Sequence, residues 1–324
     1  MAENYLSRDQ ADLYADMAEM YFLEGKTQAE IAGKVGINRS MVSRMLSEAR
    51  RNGIVEVSIH RPLSFDRELQ QKLASHFNLH TAYVLDFRQN NPDRQKAGLA
   101  EAGVYALKKF LTTSSILGLA WGSMIYEIVK AFRTDQPLAI KIVQLVGAIG
   151  AQRTYFDGHW LVQCLSEKLN GEGFYLNAPF RVDNAEIAHA LIRNPSISAT
   201  INLWKRVNIG LFGIGTIDAK YSSFYNAGFV NLDELEKLIA EGSVGDVCGL
   251  QFDLQGRAVC LDFENRLITI PRKDLLNIPI RLGVAGGPGK TEAILGALRG
   301  GYINALVTDS VVAKELLLKE EMAS

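Results

Sequence analysis

The residues most suited to chemistry form a glycine-rich stretch that ends in a lysine and a threonine, RLGVAGGPGKT at positions 281–291. An apolar run leads into the glycines, and a stretch with helical character, EAILGALRGG, follows them. Backbone N–H groups in such a loop and at a helix N-terminus bind anions, and Lys290 adds a positive charge beside them. The pattern therefore predicts a phosphate site that includes Gly286, Gly287 and Lys290.

This stretch is close to a nucleotide-binding P-loop but does not match its spacing. That motif requires a glycine, four further residues and then Gly-Lys-Ser/Thr. Val284 stands where the first glycine is needed, and Gly283 lies one position too early. A nucleotide-dependent switch stays an alternative, which a lack of stabilisation by ATP or GTP with magnesium would exclude.

Two more glycine-rich loops follow predicted strands. One is Gly147-Ala148-Ile149-Gly150 and the other is Gly213-Ile214-Gly215. Ligands of open parallel sheets bind beyond the carboxyl ends of the strands. We therefore expect these two loops and the stretch that ends in Lys290 to converge on one pocket.

A carboxylate and a guanidinium are candidates for further contacts in this pocket. Asp246 can accept hydrogen bonds from sugar hydroxyls, or it can be a turn or capping aspartate. Arg181 can be a second cationic contact or a surface arginine. The residues interpreted as belonging to the core or to an interface, and not as stacking platforms, are Trp121, Trp160 and Trp204.

Residues 27–46, TQAEIAGKVGINRSMVSRML, have the spacing of a helix-turn-helix. Thr27 followed by Glu30 is a capping box, which marks the start of a helix. Gly36 suits the turn because glycine readily adopts a positive φ, and Asn38 can cap the next helix. The spacing predicts a second helix over 38–51 that enters the major groove of DNA.

The outer face of this second helix is basic. Residues 38–61 contain five arginines and two glutamates, a local net charge of +3 in a chain whose total is −1. Arginine can bind guanine through two hydrogen bonds, and serine can contact bases or phosphates; a solvated basic face on an ordinary helical hairpin is the alternative. The predicted DNA-contacting residues are Thr27, Gln28, Asn38, Arg39, Ser40, Ser43, Arg44, Arg50 and Arg51.

The elements that must position these residues fall into two groups. Residues 1–61 contain helical patterns and an alternating run at 54–59 that predicts a short strand. From residue 66 onward helical patterns alternate with continuous apolar runs, which indicates a mostly parallel sheet covered on both faces. Within it, 242–270 is richer in short strands and predicts a hairpin. We therefore predict an α/β fold with a helix-turn-helix domain over 1–61 and an effector-binding and oligomerisation domain over 62–324.

Composition adds limits to this interpretation. Apolar residues make up 48% and charged residues 22% of the chain, as in ordinary globular proteins. Three cysteines without CxxC spacing predict buried thiols and no metal site. No signal pattern and no apolar run long enough for a bilayer is evident, so the sequence predicts a cytoplasmic protein with no membrane partner.

The sequence resembles the SorC family of bacterial transcriptional regulators. The stretches that carry the resemblance are 27–46, SVGDVCGLQFDLQG at 243–256 and VAGGPGKTEAILGALRGGYINALVTD at 284–309. The resemblance implies a large domain similar to sugar-phosphate isomerases but without catalysis, a phosphorylated sugar as effector, and a homotetramer on double-stranded operator DNA. It also implies that Asp246 contacts the effector's hydroxyls. Gly286, Gly287 and Lys290 would lie by the pocket, with Lys290 near the effector's charged group. Residues 147–150 would form another wall of the pocket. Many members carry two adjacent glycines in that wall, where this chain has Gly147-Ala148.

The predicted function is a DNA-binding regulator of a carbohydrate-utilisation operon, controlled by a phosphorylated sugar or polyol and needing no cofactor. The alternative is a sugar-phosphate isomerase or deaminase with an attached DNA-binding module. Such an enzyme requires a general base in the pocket. Asp246 is the only candidate for that base, and no histidine evidently pairs with it.

Overall fold

The structure is a computed structural model that describes residues 8–55, 62–87, 92–148, 157–226 and 228–322. The chain divides into two compact units, residues 1–62 and 63–324. The strand predicted at 54–59 lies mostly outside the described residues, which resume at residue 62.

The first unit contains helices α1 (Arg8–Phe22), α2 (Gln28–Val35) and α3 (Arg39–Arg51). The predicted capping box is present, because Thr27 Oγ1 accepts from Glu30 N at 3.3 Å while the Glu30 carboxylate accepts from Thr27 N at 2.8 Å. Gly36 ends α2 with a φ of 75°, and Asn38 Oδ1 accepts from Met41 N at 2.8 Å where α3 begins. Local hydrogen bonds thus explain where these helices begin and end.

A small apolar core packs the three helices together. Met17, Ile31 and Val42 contribute to it from α1, α2 and α3, and all three are fully buried. Leu46 and Ala49 extend the buried face of α3. Because one face of α3 is used for this core, the opposite face stays exposed to solvent.

The second unit is an α/β structure. Its strands are β1 (Thr81–Leu85), β2 (Ile116–Leu119), β3 (Lys141–Gln144), β4 (Glu172–Phe174), β5 (Ile209–Gly213), β6 (Gly215–Thr216), β7 (Gly245–Val247), β8 (Leu250–Phe252), β9 (Ile280–Val284) and β10 (Ala305–Asp309). Its helices are α4 (Arg67–His76), α5 (Pro92–Phe110), α6 (Ser123–Ala131), α7 (Gly158–Leu169), α8 (Ala185–Ile192), α9 (Pro195–Trp204), α10 (Ser223–Asn226), α11 (Leu232–Ala240), α12 (Leu261–Glu264), α13 (Arg272–Leu276), α14 (Thr291–Arg299) and α15 (Ser310–Glu321).

The main sheet has seven strands in the order β1-β10-β9-β5-β2-β3-β4, and every pair of neighbours is parallel. Successive side chains of a strand point to opposite faces of a sheet. In β5, Phe212 packs on one face while Leu211 packs on the other, and both are fully buried. The parallel sheet covered on both faces, which the continuous apolar runs predict, is thus confirmed.

Strands β6, β7 and β8 form a separate antiparallel sheet. Cys248 and Gly249 join β7 to β8 and have φ values of 58° and 85°, as a two-residue type I′ turn requires. The hairpin predicted within 242–270 is confirmed. Its pairing places Asp246 of β7 opposite Gly215 of β6, so the hairpin is joined to the segment that follows β5.

In the part of the chain that the structure describes, no helix combines the length and apolar character needed to cross a membrane. The same residues contain no group of three or more His, Cys, Asp or Glu side chains arranged to hold a metal ion. All three cysteines are free thiols. Cys248 and Cys260 are buried as predicted, whereas Cys164 is partly exposed.

Candidate functional site

A cavity of about 300 Å³ lies beyond the carboxyl ends of the adjacent strands β2, β5 and β9. The segments that follow those strands, 120–124, 213–215 and 284–288, form much of its wall. The other lining residues are Gln95, Lys96, Leu99, Tyr221, Ser223, Phe224, Asp246, Cys248, Gly249 and Lys290. The cavity therefore occupies the place where open parallel sheets bind ligands.

Asp246 is the buried carboxylate of this cavity. The residue is 7% exposed, and its Oδ2 accepts a hydrogen bond from Gly249 N at 2.9 Å. Gly215 lies directly beside it, because a Cβ built on Gly215 would be 1.8 Å from Asp246 Oδ1. Only glycine at position 215 leaves room for the carboxylate in this position.

Lys290 supplies the cation. Its Nζ donates a hydrogen bond to the carbonyl oxygen of Ile214 at 2.7 Å. Burial lowers the pKa of Lys290 to about 8, although the Asp246 carboxylate acts in the opposite direction. Burial likewise raises the pKa of Asp246 to about 6, while the Gly249 N–H and Lys290 lower it. At neutral pH the Lys290 ammonium and the Asp246 carboxylate are thus both charged, and Lys96 is a second lysine in the lining.

Helix α14 begins directly after Lys290. Lys290 occupies the N-cap position of α14 and makes no side-chain capping bond, since an ammonium has no acceptor. The first N–H groups of a helix have no partner within the helix and attract anions. Lys290 lines this cavity, whereas Thr291 and Glu292 of the first turn line a different pocket. Of the start of α14, it is therefore the Lys290 side chain that an anion in the cavity would meet.

Asp309, which the sequence analysis did not select, holds the glycine-rich loop in place. Its Oδ2 accepts from Gly287 N at 2.6 Å and from Gln95 Nε2 at 3.0 Å. Its Oδ1 accepts from Val311 N and Val312 N at the start of α15, both at 3.0 Å. In the sequence, Asp309 stands between an apolar run and a helical pattern, a position that is typical of an N-cap. This position could have identified Asp309 as a residue that begins a helix.

Two of the three predicted loops reach the cavity, and the described part of the third, Gly147 and Ala148, does not. Gly147 and Ala148 follow β3 and lie against the segment 178–180, where Ala148 pairs with Pro179. A Cβ on Gly147 would be 2.5 Å from the carbonyl oxygen of Pro179, so this glycine is needed for packing. Ile149 and Gly150 lie outside the described residues. The expected convergence of all three loops is therefore wrong for Gly147 and Ala148.

The loop after β2 provides the remaining wall. Trp121, interpreted from the sequence as a core or interface residue, lines the cavity and also packs on Phe180, Phe224 and Phe229. The sequence could have indicated this wall, since an apolar run leads into the loop Ala-Trp-Gly-Ser at 120–123. Arg181 belongs to another part of the structure, where it pairs with Glu234.

We predict that Gly215→Ala weakens ligand binding at least tenfold, because its Cβ would overlap Asp246 Oδ1 and force the carboxylate to move. Gly33→Ala is the control, since no atom lies within 4 Å of a Cβ at that position and Gly33 does not line the cavity. Calorimetric titration of both variants with a phosphorylated sugar that stabilises the wild-type protein measures the difference. Equal affinities would contradict this role of Gly215.

The first unit presents most of the predicted DNA-contacting residues on one exposed surface. Arg39, Ser40, Ser43, Arg44, Arg50 and Arg51 are exposed. Gln28 is partly buried, and the side-chain oxygens of Thr27 and Asn38 accept the capping hydrogen bonds of α2 and α3. These last two residues therefore stabilise the helix ends, whatever else they contact.

A parallel sheet covered on both faces, with a cavity lined by Lys290 and Asp246, is joined in one chain to a unit with a basic exposed helix. This combination is typical of the class of ligand-binding regulators. Residues 61–318 match the family described as "Putative sugar-binding domain". The chain is 30% identical over 308 residues to the transcriptional regulator LsrR of Escherichia coli, covering 94% of this chain and 93% of that protein. It is 28% identical over 316 residues to the deoxyribonucleoside regulator of Bacillus subtilis, covering 96% of this chain and 99% of that protein.

Among solved structures, the full-length sorbitol operon regulator SorC from Klebsiella pneumoniae is similar, with a TM-score of 0.72 and 26% identity. The match covers 95% of this chain and 99% of that one. The chain therefore belongs to the sugar-binding domain family of the SorC transcriptional regulators. These relatives are regulators, which argues against the isomerase or deaminase alternative.

Proposed function

We propose that the protein is a DNA-binding transcriptional regulator controlled by a phosphorylated sugar or polyol. The observation that carries this proposal is the cavity that Lys290, at the N-cap of α14, and the buried Asp246 carboxylate line together. A cation with backbone donors suits a phosphate, and a carboxylate suits hydroxyl groups, because each group then meets hydrogen-bonding partners of opposite character.

In this proposal the phosphate binds beside Lys290, at the N-cap of α14. The sugar hydroxyls donate to Asp246, whose Oδ2 already accepts from Gly249 N. Gly286 and Gly287 line the cavity and bring backbone close to the ligand, and Gly213, Ile214 and Gly215 form the wall between the two charged groups. Trp121 contributes an apolar surface on which a sugar ring can pack.

The first unit is proposed to be a helix-turn-helix in which α3 enters the major groove. Its exposed arginines and serines would contact bases and phosphates. A single such unit reads only one half-site, so we propose that the protein binds DNA as a homo-oligomer. The proposed oligomer is a tetramer that binds two operators or paired half-sites. The proposed location is the cytoplasm, where the DNA lies.

Ligand control requires that the effector binds two states of the protein with different affinity, since equal affinity would shift nothing. Typical coupling energies are about 1–3 kcal/mol, which change DNA affinity roughly 5- to 150-fold. The test is to select duplexes from a randomised DNA library with the full chain and to measure their affinity with and without a panel of sugar phosphates. No enriched duplex, or no effect of any phosphate in the panel, would overturn the proposal.

We predict that affinity for the phosphorylated ligand falls as the pH rises above about 8. Lys290, whose pKa burial lowers to about 8, loses its proton there, and the loss approaches about tenfold per pH unit by linkage. Affinity should rise between pH 5 and 7, because Asp246, with a pKa of about 6, and the phosphate, with a second pKa of about 6, both ionise.

Calorimetric titration between pH 5 and 9.5 measures this profile. The unphosphorylated parent sugar is the control, and its affinity should not fall above pH 8. The stability of the ligand-free protein changes in the opposite sense. Lys290 binds its proton more tightly in the unfolded chain, where its pKa is near 10.5. The contribution of Lys290 to the free energy of unfolding therefore increases as the pH rises above 8. A flat affinity profile above pH 8 would show that the ammonium does not bind the phosphate.

A further inference from the structure

Three residues of the first unit form a chain of hydrogen bonds that ends at an exposed arginine of α3. Tyr14 Oη, on α1, donates to Glu48 Oε2 at 2.6 Å. Glu48 Oε1 accepts from Arg44 Nε at 3.2 Å, one helical turn earlier on α3. Tyr14 is 8% exposed, whereas the Arg44 side chain is 80% exposed. The chain therefore leads from the core of the unit to its surface.

Arg44 lies on the side of α3 opposite the buried residues. With 3.6 residues per turn, residues two positions apart point about 160° away from each other around the helix axis. Arg44 therefore points away from both Val42 and Leu46, which are buried in the core. A helix packed through that buried face presents the opposite face to a groove. The Arg44 guanidinium thus lies on the surface that would face base pairs.

The contact with Glu48 determines which donors of Arg44 remain for DNA. A guanidinium has five N–H donors, one on Nε and the rest on its two terminal nitrogens. Glu48 uses the Nε donor, so the edge formed by the terminal nitrogens is left for another partner. Two parallel donors match O6 and N7 of guanine in the major groove.

We propose that Arg44 reads a guanine in each operator half-site and that Glu48 and Tyr14 are positioning residues that orient its guanidinium for this contact. The inference rests on the proposed DNA-binding function. A long arginine side chain loses much rotamer freedom when it binds, and a side chain already held in its bound orientation loses less. The hydrogen bond from Tyr14 ties Glu48 to α1, and without it Glu48 is free to follow Arg44.

Glu48 stays ionised in this arrangement. The hydrogen bonds from Tyr14 and Arg44 hold the pKa of the Glu48 carboxyl below its ordinary value, and the nearby charge of Arg51 acts in the same direction. Arg44 and Arg51 also offset the repulsion that a carboxylate on this helix would exert on DNA phosphates. The acceptor for Arg44 Nε is therefore retained at neutral pH.

The test compares full-length variants on duplexes selected from a randomised library. The wild-type protein should enrich a guanine at one position of each half-site, with roughly 5- to 150-fold preference over other bases. Arg44→Ala should lose the preference at that position and keep the others. Tyr14→Phe, which keeps the ring in the core, and Glu48→Ala should reduce the same preference about three- to tenfold, a partial loss consistent with a preorganisation effect.

Two further variants separate positioning from general effects. Glu48→Gln retains a carbonyl oxygen that can accept from Arg44 and an amide NH2 group that can donate to the Tyr14 hydroxyl. It should therefore keep most of the guanine preference that Glu48→Ala loses. Arg50→Ala should weaken binding to all sequences alike and lower the salt dependence, as expected of a phosphate contact. Circular dichroism of each variant confirms that the unit remains helical.

Each outcome decides a separate question. If no duplex is enriched by the wild-type protein, the proposed function fails and this inference fails with it. If a half-site is enriched and Arg44→Ala keeps every base preference, Arg44 does not read guanine. If Arg44→Ala loses the preference while Tyr14→Phe and Glu48→Ala keep it in full, the positioning roles are wrong.

Discussion

Lys290→Met is expected to remove most of the stabilisation that phosphorylated ligands give to the protein. Removing one partner from an enclosed charge pair costs about 2–5 kcal/mol, which corresponds to at least roughly 30-fold in affinity. Methionine keeps a similar length and apolar stem, so the cavity should keep its shape. A thermal-shift screen of phosphorylated sugars, each paired with its unphosphorylated parent, measures the effect.

The control for this prediction is Lys314→Met, because Lys314 is exposed on α15 and does not line the cavity. A ligand at about 100 times its Kd stabilises a protein by about 2.7 kcal/mol. The wild-type protein and Lys314→Met should both show this stabilisation with a phosphorylated ligand, and Lys290→Met should show less than about 1 kcal/mol at the same ligand concentration. If the parent sugar stabilises the wild-type protein as well as its phosphate does, the phosphate site is assigned wrongly.

Asp309→Ala is expected to destabilise the second unit by roughly 4 kcal/mol, because it leaves four buried or partly buried donors without their acceptor. The Asp309 carboxylate accepts four hydrogen bonds, from Gly287, Gln95, Val311 and Val312, and the residue is 1% exposed. For a domain of this size the melting temperature should fall by about 10 °C. Differential scanning calorimetry measures this shift for the transition of the second unit.

Asp66→Ala is the matched control for Asp309. Asp66 also caps a helix, but it is partly exposed and accepts one hydrogen bond within that helix, from Leu69 N at 3.0 Å. Its loss should cost about 1 kcal/mol, as is usual for an N-cap. If the two variants are equally stable, the bonds of Asp309 to the glycine-rich loop contribute little. Ligand binding by Asp309→Ala, measured below its melting temperature, should also weaken, since Gly287 is no longer held.

The ends of α2 and α3 were predictable because the interactions that define them are local. The capping box of Thr27 and Glu30, the positive φ of Gly36 and the cap at Asn38 each involve residues at most three apart. Tyr14 and Glu48 are separated by 34 residues. Their hydrogen bond depends on the packing of α1 against α3, which no spacing within either helix encodes.

The sequence by itself determined the class of the fold, the glycine-rich loop with Lys290, and the candidate carboxylate Asp246, since periodicity, turn residues and charge are readable along the chain. Only the tertiary structure decided which loops share the cavity. The strand order sets β2 and β9 beside β5 and places β3 one position farther out, so the loop with Trp121 lines the cavity while Gly147 packs against the segment 178–180. That order, like the hydrogen bond between Asp309 and Gly287, arises from packing between residues distant in the chain, and local sequence patterns carry no record of it.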